Sequence, residues 1–393
     1  MRRLGFIALL AGLVLAAGCG KKDSGPQGPF VPLVERLPTD APLVVMLDIA
    51  GLFKLTSQAE QELKQLPIMA KHPELLGLVE EQIAIGRASL MMLQAKMGMD
   101  PSKDLTRAVV ALMLPPDGRM DLVAVVEGKF PPDFFARMFP GAKPEKVAGQ
   151  DVYPSPGEAK LALVDGRFLV AASPQRMPAS LTAQAKAAEK LAAHHPGLFK
   201  AGAKDSLLRV SLDIPAEIAG QLELVPGAAV FAGVEHVYLD AGAGIELAAT
   251  CADDRAVDHV RAVLEAMAEL LAGGQHMIRG LGYWLLMLDL DGADELDGLP
   301  PVLAPAIADR EALLATLEKL FPEPSGAPPV SVDGRRVALV TDRKMLKGAG
   351  LLIGLGAALA VPALMARQRF EAEDELERAL EEAERFDGKG GVK

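Results

Sequence analysis

Two stretches decide the fold: VDGRFLVAASPQRM, Val164 to Met177, and VDGRRVALVTDRKM, Val332 to Met345. Each sets Asp-Gly between two strand-like runs. That pair signals a two-residue hairpin turn, because glycine accepts a positive φ at little cost. The stretches lie 168 residues apart. A second pair, LVVMLDI ending at Ile49 and LRVSLDI ending at Ile214, lies 165 apart. Two matches at nearly one spacing predict an internal duplication.

Working outward, each unit opens on an apolar strand ending in Leu-Asp-Ile. In the first, helical spacing of apolar residues (Leu75, Leu78, Ile83, Ile85) predicts a long helix over about 57–99. RAVVALMLPPDGRMDLVAVVEG follows as two strands about a Pro-Pro-Asp-Gly turn. Pro131, Pro132 and Asp133 start a short helix. QDVYPSP and the first Asp-Gly hairpin add strands, and an Ala- and Lys-rich helix over about 178–193 closes the unit. The second unit has EHVYLDAGAGIELAATC as a hairpin, DDRAVDHVRAVLEAMAELLA as an amphipathic helix, GYWLLMLDL as a strand, a helix near 309–320 and the second Asp-Gly hairpin. Hairpins interleaved with helices predict an α+β protein: two tandem duplicated units, 37–197 and 198–346, each an antiparallel sheet with helices on one face, plus a C-terminal helix.

The front end is a processing signal. Arg2 and Arg3 precede an apolar run over 4–17 that is short for a bilayer span, and small residues follow. Leu15-Ala16-Ala17-Gly18-Cys19 resembles the lipobox of bacterial lipoproteins, with Ala16 where that family most often has Leu. The resemblance implies a signal peptide over 1–18, a diacylglycerol on the Cys19 thiol, cleavage before Cys19 and acylation of the new amine. Two or three acyl chains anchor stably where one does not. Residues 19–36, rich in Gly, Pro and Lys, are expected to form a tether. Gly20 is not the Asp that holds family members at the inner membrane, which leans toward the outer one. Leu37-Pro38-Thr39-Asp40-Ala41 and Leu47-Asp48 loosely resemble the unit openings of an uncharacterised group of bacterial envelope proteins, which carries no activity to transfer.

Composition narrows the function. The net charge is −11 at pH 7, and loss of Arg2 and Arg3 with the leader makes it more acidic. This argues against nucleic acid, which demands basic surface. Aromatic residues make up only 4% of the chain, which argues against an aromatic platform for sugars or bases. With Cys19 acylated, Cys251 has no disulfide partner, and its place at a strand end reads as a buried structural cysteine.

No catalytic or cofactor motif stands out: no P-loop, no H-E-x-x-H, no G-x-S-x-G, no spaced Cys/His quartet. Gly348-x-Gly350 does not sit at the strand-to-helix turn of a βαβ unit. His194 and His195 end a helix before Pro196, where a cation complements the helix dipole. A metal there would need two further ligands that the sequence does not supply. His259 reads as a solvated helix position, and His236 points either into a sheet core or out of it. Asp289 to Gly298, DLDGADELDG, fails the EF-hand spacing at Ala293, Asp294 and Pro300 and reads as an acidic loop.

At the other end, residues 347–387 form an apolar and then amphipathic segment, and 388–393 a tail. Nineteen residues, 348–366, carry no charge, and as a helix would extend about 28 Å. Two readings stand, a bilayer span and a helix packed on protein. The basic residues on either side do not set an orientation. Ala372, Leu376, Ala379, Ala383 and Phe386 follow a heptad rhythm, so 370–387 is a candidate for a protein partner or self-association. AALAVPALMARQ is similar to the N-terminal helix of type IV pilins, but without the prepilin cleavage site, so only a shared membrane-helix design is implied.

These features together predict a non-enzymatic, lipid-anchored envelope protein facing the periplasm or cell surface, a scaffold or binding module held by Cys19. The alternative is a periplasmic carrier of a small apolar molecule or lipid.

Overall fold

The computed structural model describes residues 28–113, 121–155, 159–184, 186–199, 206–215, 233–242, 244–287, 305, 308–320 and 326–342. The chain opens with α1 (Val31–Val34) and β1 (Leu43–Asp48). Helices α2 (Ile49–Lys64), α3 (Pro67–Lys71), α4 (Pro73–Met97) and α5 (Pro101–Asp104) lead to β2 (Leu105–Met113) and β3 (Asp121–Gly128). Then come α6 (Phe134–Met138), β4 (Glu145–Val147), β5 (Gln150–Pro154), β6 (Lys160–Val164), β7 (Phe168–Ala172), α7 (Met177–Ser180) and α8 (Ala187–His194). The second half holds β8 (Leu208–Asp213), β9 (Val234–Ala241), β10 (Gly244–Cys251), α9 (Asp254–Met287), α10 (Arg310–Leu320), β11 (Val330–Asp333) and β12 (Arg336–Asp342).

The fold is mixed helix and strand around one large antiparallel sheet, not two separate sheets. Its order is β11-β12-β10-β9-β8-β1-β2-β3-β7-β6-β5-β4. The two opening strands join the halves. β1 pairs with β8 antiparallel, Leu43 opposite Leu212, Val45 opposite Val210, Leu47 opposite Leu208. Each strand would otherwise be a long apolar edge, and their mutual pairing removes both. The remaining edges, β4 and β11, are short and carry Glu145, Lys146 and Asp333.

Helices cover both faces, not one. Val125 on β3 is fully buried with Leu33, Val34, Leu37, Leu191 and Leu198, which come from α1, α8 and the segments that follow them. Its neighbour Val126 packs on the opposite face with Met99, Phe130, Phe134 and Phe135. The register carries these faces across the seam, because Val44 opposes Ser211 and Leu212 opposes Val237. Val237 therefore lies on the second face, where α9 packs through Ala256, Val257, Val260, Leu264 and Ala268. The continuous apolar runs in β2 and β3 account for cover on both sides, since a half-solvated sheet would alternate.

Local chemistry sets the helix limits. The stretch expected as one helix over 57–99 is divided, with Pro67 and Pro73 each at the start of a new helix, where a missing N–H costs nothing. The Asp48 carboxylate caps α2 by accepting from Gly51 N at 3.0 Å. The helix expected over 178–193 is two shorter ones, α7 and α8. Residues 282–287, the first part of GYWLLMLDL, are helix and not strand, since α9 runs on to Met287, and 288–290 lie outside the described residues. Residues 31–36, expected as tether, turn into the core, with Leu33 and Val34 at 0% exposure. The first Asp-Gly turn has φ of 55° at Asp165 and 63° at Gly166, and the Arg167 N–H donates to the Val164 carbonyl at 3.0 Å. The second hairpin turns one residue later, on Gly334 and Arg335, because Asp333 pairs with Arg336.

A charged row ends the first face. Glu127 on β3 is 6% exposed, opposite Arg107 on β2 and Phe168 on β7. It accepts from Arg107 Nη1 at 3.0 Å and from Arg167 Nε at 2.9 Å. Burial alone would raise its pKa, but the bonds from Arg167 and Arg107 outweigh that and hold it below the usual carboxylate range. Arg36 and Arg167 both lie over the Phe168 ring, at 4.8 and 5.0 Å. Glu127→Ala leaves this cationic group without its central anion and is expected to cost about 2 kcal/mol, roughly twice the cost of Glu127→Gln. Urea unfolding of both variants checks it, and equal costs would reject a charge-based role.

Candidate functional site

The seam between the halves carries a buried polar network. In β8, alternation sends Val210 and Leu212 to the second face and Arg209 and Ser211 to the first. On β1 the residues opposite are apolar, Met46 facing Arg209 and Val44 facing Ser211. β9 adds Tyr238 opposite Ser211, His236 opposite Asp213 and Asp240 opposite Arg209. The connector that leaves α8, residues 195–198, crosses this face.

Three side chains form a hydrogen-bonded chain. His195 Nε2 lies 2.8 Å from the Ala41 carbonyl, and His195 Nδ1 lies 3.1 Å from Ser211 Oγ. Ser211 Oγ lies 2.8 Å from His236 Nε2. A carbonyl only accepts, so His195 Nε2 carries the proton and, in the neutral ring, Nδ1 accepts from Ser211. The Ser211 oxygen in turn accepts from His236 Nε2–H. That assignment leaves His236 Nδ1 as a bare acceptor, buried without a hydrogen-bond partner. Burial lowers the pKa of His195, against the opposing pull of its bond to Ala41 and of Asp213. Burial, reinforced by His195, lowers that of His236 to about 4. Both rings are neutral at pH 7.

A second cluster lies beside the first. Asp240 accepts from Tyr238 OH at 2.9 Å and from Ser206 Oγ at 2.5 Å, and lies 3.6 Å from Arg209 Nε. Arg209 Nη1 donates to the Leu198 carbonyl at 2.6 Å. Burial, and then the Asp240 charge, raises the Tyr238 pKa. The connector is thus fastened at His195 and at Leu198, with Gly197 against the Tyr238 ring.

Chemically, Ser211 rests on a neutral imidazole lone pair, as a serine nucleophile rests on its base. Both residues are at 0% exposure, however, and the hydroxyl is fully engaged. A substrate could not reach it in this conformation. The network acts as a latch that ties Ala41, the end of α8, β8 and β9 together.

Of the residues singled out by sequence, His195 is the buried C-cap residue of α8 and neutral, so it does not act as a cation on the helix dipole, whereas His194 is exposed in the last turn. His236 points into the core. His259 is exposed on α9. Cys251 is fully buried with its thiol pKa raised by that burial. Cys19, the acidic loop 289–298, the apolar segment 348–366 and the heptad segment 370–387 lie outside the described residues. Ser211, Tyr238, Asp240 and Arg209 were missed, although a signal existed: LRVSLD places Arg and Ser where LVVMLD places Val and Met.

No family model, no curated protein and no solved structure matches the chain. Among the described residues no group of three or more His, Cys, Asp or Glu is placed to hold a metal ion, and no helix is long and apolar enough to cross a membrane.

Proposed function

We propose that the chain is a non-enzymatic lipoprotein of the bacterial cell envelope, anchored by acyl chains on Cys19 and serving as a scaffold or binding module on the periplasmic or outer side. The observation that carries this reading is the run from Arg2 through the apolar stretch to Leu15-Ala16-Ala17-Gly18-Cys19. The inward use of the polar groups at the seam supports it, since His195, Ser211 and Tyr238 are spent on holding the body together.

The same reading treats the body as two copies of one unit. In its support, the sheet runs β1-β2-β3-β7-β6 to one side of the seam and β8-β9-β10-β12-β11 to the other. The β1–β8 register is also symmetrical about Val45 and Val210 once LVVMLD is laid on LRVSLD.

Acyl labelling and extraction test the anchor. The wild-type chain is expected to incorporate a labelled fatty acid, and Cys19→Ala to incorporate none. Release by alkaline carbonate of that variant, once exported and cut, would make the lipid the sole anchor, whereas retention of the cut form would assign a second anchor to 348–366. Absence of label on the wild type would reject the lipoprotein reading.

A further inference from the structure

We propose that the outward face of α4, from Ala84 to Ala95, rests on the lipid surface of the membrane that holds Cys19; this rests on the lipoprotein reading. The helix has 25 residues, about 37 Å at 1.5 Å per residue. Its first turns are packed: Leu75 and Val79 are buried with Leu317 and Leu320 of α10. Its end is packed too, Met97 lying against the Phe130, Phe134 and Phe135 cluster. Between these two supports it is exposed. Ala84, Ile85, Ala88, Met91, Met92 and Ala95 follow helical spacing along one stripe, and all are exposed, Met91 by 61% and Met92 by 68%.

A surface helix ordinarily turns such a stripe to the core. Here it faces out, in a part of the chain with no carboxylate between Glu81 and Asp100, although the protein as a whole is acidic. Arg87 and Lys96 are the charges within that interval, and Arg87 is held by the Glu60 carboxylate of α2 at 2.7 Å. Exposed Met and Ile, with only Lys96 beyond the Arg87–Glu60 pair, suit a lipid interface reached through apolar contact.

Geometry puts the lipid anchor within reach. α4 ends at Gly98 (φ 72°), passes through α5 and enters β2 at Leu105. Two residues on, the Arg107 guanidinium lies 5.9 Å from the Phe30 ring. The exit of the N-terminal segment and the end of α4 therefore share one end of the sheet. Cys19 to Phe30 spans at most about 40 Å fully extended, enough to place acyl chains and the stripe in one plane. A second copy of the chain seated on this stripe would bury a single short helix face, well under the roughly 800 Å² per partner of a stable interface.

The test uses the purified full chain in vesicles of phosphatidylethanolamine and phosphatidylglycerol, with an environment-sensitive fluorophore at Met92→Cys or, as a control on the opposite face, Lys190→Cys. Cys251 is fully buried and stays unlabelled. The probe at 92 is expected to shift to the blue and to be quenched by lipids brominated in the acyl chain, with no change at 190. Mass spectrometry of the N-terminal peptide reports acylation separately. An acylated chain with a silent probe at 92 overturns this proposal and leaves the lipoprotein reading standing. An unmodified Cys19 overturns the lipoprotein reading whatever the probe does. A blue shift without vesicles that grows with protein concentration, with disulfide cross-linking between two 92 positions, would assign the stripe to a second copy and overturn the lipid surface.

Discussion

Lowering the pH from 6.5 to 4.5 is expected to cost the folded chain about 2 kcal/mol through His236 alone, a loss that His236→Gln avoids. In the unfolded chain this imidazole binds a proton near its ordinary value of 6.5, and in the folded chain only near 4. Between those values the unfolded state holds more protons, so stability is full above 6.5 and falls as the pH drops toward 4. The incoming proton goes to Nδ1, which has no partner, and so breaks no hydrogen bond. The cost is a buried charge facing the His195 ring, whose centroid is 5.6 Å away, with Asp213 opposing only in part. His195 adds to the loss in the same direction, because protonating its Nδ1 displaces the Ser211 hydrogen. Carboxylates held low, Glu127 by Arg167 and Asp309 first by the Ala312 N–H, release their stability only below about 4.5, so the window belongs to the histidines. Gln keeps an N–H for Ser211 and cannot titrate. Urea midpoints from pH 7.5 to 4.5 should fall more gently in His236→Gln than in the wild type, and parallel slopes would remove His236 from the latch.

The local features of this fold were legible because their causes are local. Asp165-Gly166 and Gly334 announce hairpins through the φ values they accept, and Asp309 announces α10 by capping it, accepting from Ala312 N at 3.0 Å. The union of the sheet was not legible, since pairing Val45 with Val210 depends on which edges the rest of the chain leaves open. GYWLLM misled because a short apolar run suits a strand and a helix alike, and the amphipathic helix before it meets no proline. The proline-rich composition of 26–38 hid an apolar spacing at Val31, Val34 and Leu37. At the site, Ser211 could have been flagged as a polar residue on an inward strand position. The split between His194 and His195 could not, because the Ala41 carbonyl that captures His195 is brought there by tertiary structure alone.

Gly197→Ala is expected to destabilise the protein by about 3 kcal/mol, more than any other single methyl group added at the seam. A Cβ on Gly197 would fall 2.5 Å from Tyr238 Cδ2, 2.7 Å from Cγ and 2.8 Å from Cε2. Neither side can give way cheaply. The ring is 3% exposed and its hydroxyl is held by Asp240, itself held by Ser206. The connector is held by His195 on Ala41 and Ser211, by Arg209 on the Leu198 carbonyl, and by a Leu198 side chain at 0% exposure. The methyl group must therefore push the connector off the sheet or break the Tyr238–Asp240 bond, and either opens the latch. A double-mutant cycle separates this clash from a backbone effect of alanine itself. Tyr238→Ala alone should cost about 3–4 kcal/mol by leaving a cavity, and in that background Gly197→Ala should be nearly neutral, since the methyl group then enters empty space. Additive losses in the cycle would mean that the connector does not lean on Tyr238, and the seam would have to be held by the hydrogen bonds of His195 and Arg209 without it.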